Sequence, residues 1–432
     1  MTTVPSPFPL SPSLWAATAV APPTTIPLRG DARTEVAVVG GGYAGLSTAL
    51  HLARRGIRAT LVEAREIGFG GSGRNGGQVI PGLKHDPDEL MQRSTPEAGA
   101  RLVDFAGSTA DAVFDLIDYY QMDVPHVRRG WIQGAHTDAA LAIARRRAKQ
   151  WAQRGAPVRM LDKQQIADLL GTSRYLGGWI DERAGAIQPL SYARELARAA
   201  MQEGAGVHTD SPVARLERNG SGWLVTGENG FKLQADKVIV CTNAYGGGAL
   251  VPKLNTTIID ANTFQVATQP LPEALRATVM PGGQVCSDTR NLLLYFRLDH
   301  TGRLLMGGRG PFREPKGVED WAHLERVIRK MFPQIGDIGF DYRWCGRVAI
   351  TRDYMPHIHE PEQGLLVNVG CQGRGVGLQT RMGQALAEYT STGNANALPV
   401  PVTPIKSFPL YGLRRIYVNA AVTWYRLNDG GL

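Results

Sequence analysis

The stretch Val36-Ala-Val-Val-Gly-Gly-Gly-Tyr-Ala-Gly45 decides the fold of this chain. It places three glycines, spaced as Gly-x-Gly-x-x-Gly, between an apolar run typical of a buried strand and a helix-like segment at residues 46–55. In such a unit the first glycine lets the chain turn, the second admits a pyrophosphate close to the backbone, and the third lets helix and strand pack closely. The start of the helix presents free N–H groups to phosphate oxygens. The candidate phosphate contacts are Gly40, Gly42, Tyr43, Ala44 and Gly45.

A second apolar run, residues 59–62, leads directly into Glu63, 23 residues after Gly40. At this spacing a carboxylate accepts hydrogen bonds from the adenosine ribose of a bound dinucleotide. Ala64 and Arg65 continue the same turn and are candidate contacts as well. Strand, glycines, helix, strand and terminal acid together predict a dinucleotide-binding βαβ unit.

The composition favours a loop-rich α/β enzyme of two domains, because the chain has 432 residues, 51 glycines and 43% hydrophobic residues. Its four cysteines form no Cys-x-x-Cys pair, so we expect no structural zinc, no disulfide framework and a reducing, cytoplasmic setting. No metal site is expected either, because the pair His357 and His359 has no third ligand nearby in the sequence.

Charge and hydropathy argue against two further classes of protein. The net charge of +8 is dispersed, and its densest run, residues 145–149, lies in a helix-like segment without interleaved aromatic residues. A solvated helix face is therefore expected there rather than a nucleic-acid site. No apolar stretch reaches the length of about 18 residues that spans a bilayer. Residues 14–21 lack the preceding basic residue of a signal sequence, so we expect an ordered arm.

The alternation of helix and strand patterns predicts an α/β fold with two discontinuous domains. The first is a Rossmann-type dinucleotide-binding domain, and the second is an α+β domain built on a mostly antiparallel sheet. We expect an N-terminal arm at 1–30, the first domain at 31–104, 181–255 and 344–432 (ending in a C-terminal helix), and the second at 105–180 and 256–343.

Three further segments are suited to ligand binding. Residues 68–78 contain six glycines in eleven positions, so we expect this backbone to wrap a ligand rather than form a helix or strand. The strand at 237–241 runs into a polar turn, and a second strand–glycine-turn–helix unit at 370–377 offers more N–H groups to negative charge. The candidate contacts are Ser72, Gly73, Arg74, Asn75, Gly76, Gly77, Gln78, Thr242, Asn243, Gly373, Arg374, Gly375, Val376 and Gly377.

The order of these elements resembles the D-amino-acid-oxidase/glycine-oxidase superfamily of FAD enzymes. The resemblance rests on the βαβ fingerprint, the glycine-rich loop, the strand at 237–245, Thr351-Arg-Asp-Tyr-Met-Pro356 and the final glycine turn. Within that superfamily, the chain resembles the gamma-glutamylputrescine oxidoreductases. This narrower resemblance rests on residues 71–79, 344–353, 373–377, 413–417 and 424–427.

This resemblance implies an extended FAD with its pyrophosphate over residues 40–45 and its ribose at Glu63. Val213 lies where relatives contact adenine, and residues 373–377 lie where they face the pyrimidine edge of the flavin. Gly346 falls where sarcosine-oxidase-like relatives carry a cysteine bonded to the flavin. Cys345 is offset by one residue, so we expect its thiol to point away and the FAD to be bound non-covalently.

The same resemblance implies oxidation of an amine, in which hydride passes from the α-carbon to flavin N5 and the imine is hydrolysed to an aldehyde and ammonia. The expected substrate is a primary amine such as gamma-glutamylputrescine in polyamine catabolism, with oxygen or another electron acceptor. Residues 375–378 lack the lysine with which sarcosine-oxidase-like members hold a substrate carboxylate, and residues 303–309 lack their oxygen-activating lysine. Candidate wall residues over the flavin are Tyr295, Arg297, Arg309 and Trp344.

Two other functions are compatible with the sequence. One is an amino- or imino-acid dehydrogenase, of pipecolate or D-amino-acid type, that passes electrons to a membrane acceptor. An apolar stripe in the C-terminal helix would then dock on the bilayer, although packing of this helix on the protein body is the expected arrangement. The stripe comprises Leu413, Ile416, Tyr417, Ala420, Ala421 and Trp424. The other function is a non-catalytic dinucleotide-binding scaffold. The substrate-side strands and the second glycine turn argue against it, and a yellow purified protein would exclude it.

Overall fold

A parallel sheet forms the frame of the dinucleotide-binding domain in the computed structural model, which describes residues 10, 12–246 and 250–429. Its central strand, β1 (Asp31–Val39), pairs in parallel with β12 (Lys232–Val240) on one side and with β2 (Ala59–Val62) on the other. The last four residues of β1 are buried, as expected for a strand covered on both faces.

The outer strands of this sheet are β9 (Gly206–His208), β10 (Val213–Asn219), β11 (Gly222–Gly227), β18 (His357–Glu362) and β19 (Leu365–Val369). The order is β10-β11-β12-β1-β2-β9, and β19 pairs in parallel with the carboxyl-terminal half of β12. The carboxyl ends of β1, β2, β12 and β19 therefore meet at one edge. The turns that follow these strands come together at this edge, where ligands bind in open α/β sheets.

Three long helices belong to this domain: α2 (Tyr43–Ala53), α8 (Pro189–Gln202) and α11 (Gly375–Thr392). The contact between α2 and α11 is very close. A Cβ on Gly383 would lie 2.5 Å from the Cβ of Ser47, and the Ser47 hydroxyl donates to the carbonyl of Thr380 at 2.7 Å. The two helices that follow the two glycine turns are thereby packed against each other.

The second sheet is mostly antiparallel, which confirms the predicted fold class. Its strands, in spatial order, are β17 (Phe340–Thr351), β13 (Ile258–Pro270), β16 (Arg303–Arg309), β15 (Tyr295–Leu298), β14 (Val285–Asp288), β5 (Trp131–Ala135), β7 (Gly177–Asp181) and β6 (Val158–Leu161). Only the β14–β5 pair is parallel within this described sheet. Because β17 pairs with β13 as far as Thr351, this sheet continues past the predicted boundary at residue 344.

The other elements cover these sheets or connect them. A small third sheet contains β3 (Gln78–Val79), β4 (His126–Val127) and β8 (Gly185–Ile187). The remaining helices include α3 (Pro87–Gln92), α4 (Pro96–Gly107), α5 (Asp111–Tyr119), α6 (Asp138–Ala152), α7 (Lys163–Leu170), α9 (Glu273–Arg276) and α10 (Ala322–Met331). Helix α10 buries Leu324 and Ile328 in a core that also contains Phe264 and Phe296.

The part of the N-terminal arm that the structure describes is anchored to the body, whereas residues 1–9 and 11 lie outside the described residues. The arm forms the short helix α1 (Leu14–Thr18), which Ser13 caps. Trp15 is fully buried, and its indole N–H donates to the carbonyl of Asn75 at 2.7 Å. The arm therefore supports the glycine-rich loop from behind.

The C-terminal helix α12 (Arg414–Asn428) does not bury the stripe that was expected to pack on the body. The exposed fractions are 50% for Leu413, 68% for Ile416 and 63% for Trp424, and Tyr417 and Ala420 are also exposed. The end of this region is fixed instead by Asp429, whose carboxylate accepts the backbone N–H groups of Asn291 and Leu292 at 2.9 and 2.7 Å. Among the described residues, none of the helices has the length and apolar character needed to cross a bilayer.

Candidate functional site

The glycine turn after β1 has little room for side chains. Gly40 has a φ of +113°, a backbone conformation that residues with a Cβ rarely adopt. Its N–H donates to the carbonyl of Val62 at 2.9 Å. A Cβ on Gly45 would lie 2.0 Å from the Gly40 carbonyl oxygen. Beside Gly42, in contrast, the nearest atom is the Ser72 hydroxyl oxygen at 3.0 Å. Gly45 thus permits close packing of strand and helix, whereas Gly42 borders a space in which Ser72 leaves little room for a side chain.

That space belongs to a cavity of about 710 Å³. The cavity is lined on one side by the carboxyl-terminal edge of the parallel sheet and on the other by residues of β5, β13, β14, β15, β16 and β17 of the second sheet. Its volume suits a large, mostly enclosed ligand. The sequence-predicted contacts that line it are Gly40, Gly42, Tyr43, Ala44, Glu63, Ala64, Arg65, Ser72, Asn75, Gly76, Gln78, Val213, Thr242, Asn243, Gly373, Arg374, Gly375 and Val376.

Glu63 lies at the end of β2 and faces both the cavity and the glycine turn. Its carboxylate accepts the N–H of Gly41 at 2.6 Å and the N–H of Arg65 at 2.9 Å. Burial raises the pKa of Glu63 above its ordinary value, and these backbone donors oppose that rise by stabilising the charged form.

The glycine-rich loop folds back on itself around one short turn, Gly71–Gly73. The Asn75 amide donates to the carbonyl of Ser72 at 2.8 Å, and the Ser72 hydroxyl accepts the N–H of Tyr43 at 3.0 Å. The Arg74 guanidinium lies over the ring of Phe69, 4.8 Å from its centroid, rather than in the cavity. The loop thereby presents its backbone and small side chains to the ligand space.

The two turns after β12 and β19 are joined to each other. The Asn243 side-chain oxygen accepts the N–H of Gly370 at 3.0 Å. Thr242 lines the cavity, and its hydroxyl is buried and has no hydrogen-bond partner among the described residues. A buried hydroxyl without a partner is costly, so this group is suited to a ligand atom.

Some predicted contacts do not line the cavity. Those from the glycine segments and β17 are Gly45, Gly73, Arg74, Gly77, Gly346 and Gly377. The glycines among them allow close packing: a Cβ on Gly77 would lie 2.4 Å from the carbonyl oxygen of Ile187, and one on Gly377 would lie 2.6 Å from that of Thr109.

The predicted substrate-side residues divide into two pairs. Tyr295 and Arg309 line the cavity, and the Tyr295 hydroxyl lies 2.7 Å from that of Thr263. Burial raises the pKa of Tyr295 to about 12. Arg297 and Trp344 do not line it: Arg297 donates to the carbonyls of Gly76 and Ile187, and the Trp344 indole donates to the carbonyl of Arg74. This second pair supports the glycine-rich loop from outside the cavity.

The sequence interpretation missed a cluster of cavity residues on the side of β5 and β14. The Trp131 indole donates to the Ser287 hydroxyl at 2.8 Å, and the Arg374 guanidinium lies 5.0 Å from the Trp131 ring centroid. Gln133 and Lys84 line the same cavity. The available signal for Lys84 was its position six residues after the glycine-rich loop, which by itself indicates no function.

No group of three or more metal-binding side chains occurs among the described residues. His357 instead binds the Asp353 carboxylate at 3.0 Å and stacks on His359, with ring centroids 5.7 Å apart.

Comparison with known proteins agrees with this geometry. A family model described as FAD dependent oxidoreductase matches residues 35–389. The chain is 31% identical over 403 residues to gamma-glutamylputrescine oxidoreductase of Escherichia coli (strain K12), which covers 91% of this chain and 92% of that protein. It is 30% identical over 429 residues to a probable oxidoreductase, OrdL, of Rhizobium meliloti (strain 1021), with 98% of each chain covered. The crystal structure of glycine oxidase from Geobacillus kaustophilus has a similar fold, with a TM-score of 0.70 and 21% identity over 83% of this chain and 95% of that chain.

The residues that line the cavity fit FAD. Helices α2 and α11 both begin beside the cavity, where Ala44 and Gly375 line it. The Tyr43 N–H donates to Ser72, so the N–H groups available to anionic or polar ligand atoms are the others in the first turn of each helix. The Thr242 hydroxyl lacks a partner, and the space beside Gly42 would be filled by any Cβ. The site therefore offers donors and open space where a dinucleotide requires them.

Proposed function

Because the chain belongs to the family of FAD-dependent oxidoreductases, we propose that it oxidises a primary amine to an imine that hydrolyses to an aldehyde and ammonia. The observation that carries this proposal is the continuation of the cavity past the glycine-rich loop to Tyr295 and Arg309 on the second sheet. The likeness to gamma-glutamylputrescine oxidoreductase over 91% of the chain supports an amine as the hydride donor.

The bound FAD would supply the hydride acceptor, N5 of its flavin ring. The turn around Gly42 and the start of α2 would hold its pyrophosphate, and Glu63 would accept hydrogen bonds from its ribose. Thr242 and the turn at Gly373–Gly375 would contact the remaining polar atoms of the FAD. These roles follow from the contacts at the cavity and from the resemblance of the glycine segments.

The protein side chains on the second sheet would position the amine and favour its neutral form. The Tyr295 hydroxyl stays protonated, because burial raises its pKa to about 12. Among the described cavity residues, the carboxylates are Glu63 and Glu228, and neither lies on the second sheet. With Arg309 and no carboxylate on that wall, the surroundings lower the pKa of a substrate ammonium, which releases the nitrogen lone pair needed for hydride transfer.

The test is bleaching of the flavin under nitrogen by a panel of polyamines, their gamma-glutamyl conjugates and amino acids, followed by admission of air. We expect a gamma-glutamylated amine to bleach the yellow colour fastest. The rate at which the colour returns in air separates an oxidase from a dehydrogenase. The absence of bleaching by every amine in the panel would overturn the proposal.

The exposed apolar side chains of α12 favour a second candidate, an amino- or imino-acid dehydrogenase that transfers electrons at a membrane. This candidate predicts bleaching by an amino or imino acid and slow recolouring in air. Rapid bleaching by an amine without a carboxylate on its reacting carbon would exclude it. A cytoplasmic location fits the first candidate best.

A further inference from the structure

Lys84 is a cationic side chain that lines the cavity and has no partner among the described residues. It follows β3 and is exposed to the cavity that it lines. It forms no hydrogen bond and no ion pair with any described residue, and the nearby Asp86 carboxylate is bound to Arg147. Because the Lys84 side chain lines the cavity and has no counter-ion among the described residues, it is available to an anion from outside the chain.

The surroundings of Lys84 make this part of the cavity more positive. Arg374 donates to the carbonyl of Pro81 at 2.6 Å, which holds its guanidinium close to the segment that carries Lys84. Burial, Arg374 and Arg147 together lower the pKa of Lys84 to about 8. Burial likewise lowers the pKa of Arg374, to about 10. At neutral pH both groups are charged, and an anion would relieve their mutual repulsion.

The same cluster is connected to the expected substrate wall rather than to the pyrophosphate turn. Arg374 lies over the Trp131 ring, and the Trp131 indole donates to the Ser287 hydroxyl. Ser287 is the antiparallel partner of Tyr295 in the second sheet. A continuous wall of second-sheet residues therefore leads from Tyr295 to the cationic group.

We propose that the Lys84 ammonium, with Arg374 beside it, binds a carboxylate at the end of the substrate remote from the reacting amine; this rests on the proposed amine oxidation. The substrate class is then an amine that carries a distant carboxylate, such as a gamma-glutamyl conjugate. A bare diamine is disfavoured, because its second ammonium would face two cations and no acid on that wall.

The first experiment compares substrates that differ only in the carboxylate. Wild-type holoenzyme and Lys84→Gln are assayed with gamma-glutamylputrescine and with its α-methyl ester. We expect Lys84→Gln to lower kcat/KM for the acid about 10- to 100-fold, mainly through KM, and to leave the ester unchanged. Lys84→Arg should restore much of the affinity for the acid, and Lys163→Gln, at an exposed lysine on α7, should have no effect.

The second experiment requires no turnover. Glutarate is titrated into the oxidised holoenzyme while the flavin absorbance is followed, and we expect binding at least about 10-fold weaker in Lys84→Gln than in wild type. Flavin content and melting temperature should be unchanged, because Lys84 has no partner to lose in the part of the chain that the structure describes.

The outcomes separate this proposal from the proposed function. No oxidation of any amine by wild type would refute the amine oxidation itself. Equal kcat/KM for acid and ester in wild type, or unchanged discrimination in Lys84→Gln, would overturn only the role of Lys84. A Lys84→Gln enzyme that is reduced normally but recolours slowly in air would overturn it too, because Lys84 would then act on oxygen.

Discussion

The Glu63 carboxylate accepts the backbone N–H of Gly41 at 2.6 Å, so the acid at the end of β2 holds the glycine turn that follows β1. The spacing between the glycines and Glu63 predicts a ribose acceptor at this position. It does not predict the hydrogen bond between Glu63 and Gly41. Glu63 thus shapes the turn, in addition to the ribose contact that we propose for it.

Glu63→Ala should weaken FAD binding about 10- to 100-fold, because a charged hydrogen-bond acceptor is lost at the ribose position. It should also lower the melting temperature of the apoprotein, since the N–H groups of Gly41 and Arg65 lose their acceptor. FAD affinity is measured by fluorescence quenching on the reconstituted apoprotein. Glu228→Ala removes another carboxylate from the cavity and serves as the control for charge alone. Unchanged FAD affinity in Glu63→Ala would refute the assignment of the βαβ unit.

Two glycines of the same turn should respond differently to substitution. Gly42→Val should abolish FAD retention and leave the apoprotein folded, because its side chain would project into the cavity and its Cβ would approach a side-chain atom, the Ser72 hydroxyl oxygen, rather than the backbone. Gly45→Ala should destabilise the fold by about 2 kcal/mol, because its Cβ would lie 2.0 Å from the Gly40 backbone oxygen. Flavin content and thermal unfolding of the apoprotein distinguish the two effects. A yellow Gly42→Val protein would contradict the position of the pyrophosphate.

The features that the sequence predicts well are the local ones. The βαβ unit and the glycine turns were predictable, because strand, turn and helix signals follow one another within a few residues. The positions of Arg297 and Trp344 were not, because both depend on carbonyl groups of the distant glycine-rich loop. The C-terminal helix has the apolar stripe typical of a packed helix, yet the structure leaves Ile416 exposed.

Binding of a substrate carboxylate by Lys84 should depend on pH, because the ammonium can lose its proton. Below pH about 8 the ammonium is charged, and above this value it loses its proton, so KM for an acid substrate should rise with pH. The cationic groups that act on it are Arg374 and Arg147. The ratio of kcat/KM for gamma-glutamylputrescine to that for its methyl ester cancels the titration of the reacting amine. This ratio should fall above pH about 8 in wild type and stay constant in Lys84→Arg, since the guanidinium remains charged. A constant ratio in wild type would contradict the titration of Lys84.

The position of Cys345 on β17 determines whether its thiol can form a covalent bond with the flavin. Neighbouring residues on a strand face opposite sides of the sheet, and β17 follows this rule. A Cβ on Gly346 would lie 3.0 Å from the Cβ of Arg74 in the glycine-rich loop, whereas Cys345 is packed against the core cluster that contains Phe264. Cys345 is not among the cavity-lining residues. Burial raises the pKa of its thiol, so the nucleophilic thiolate is disfavoured.

We therefore expect FAD to be released when the protein is precipitated with acid, leaving a colourless pellet and a yellow supernatant. Cys345→Ser should bind FAD as wild type does. Cys371→Ser is the matched comparison, because Cys371 lines the cavity, as Cys241 does. A yellow pellet that becomes colourless only in Cys345→Ser would show a covalent bond at that position, which would require β17 to present its opposite face to the flavin.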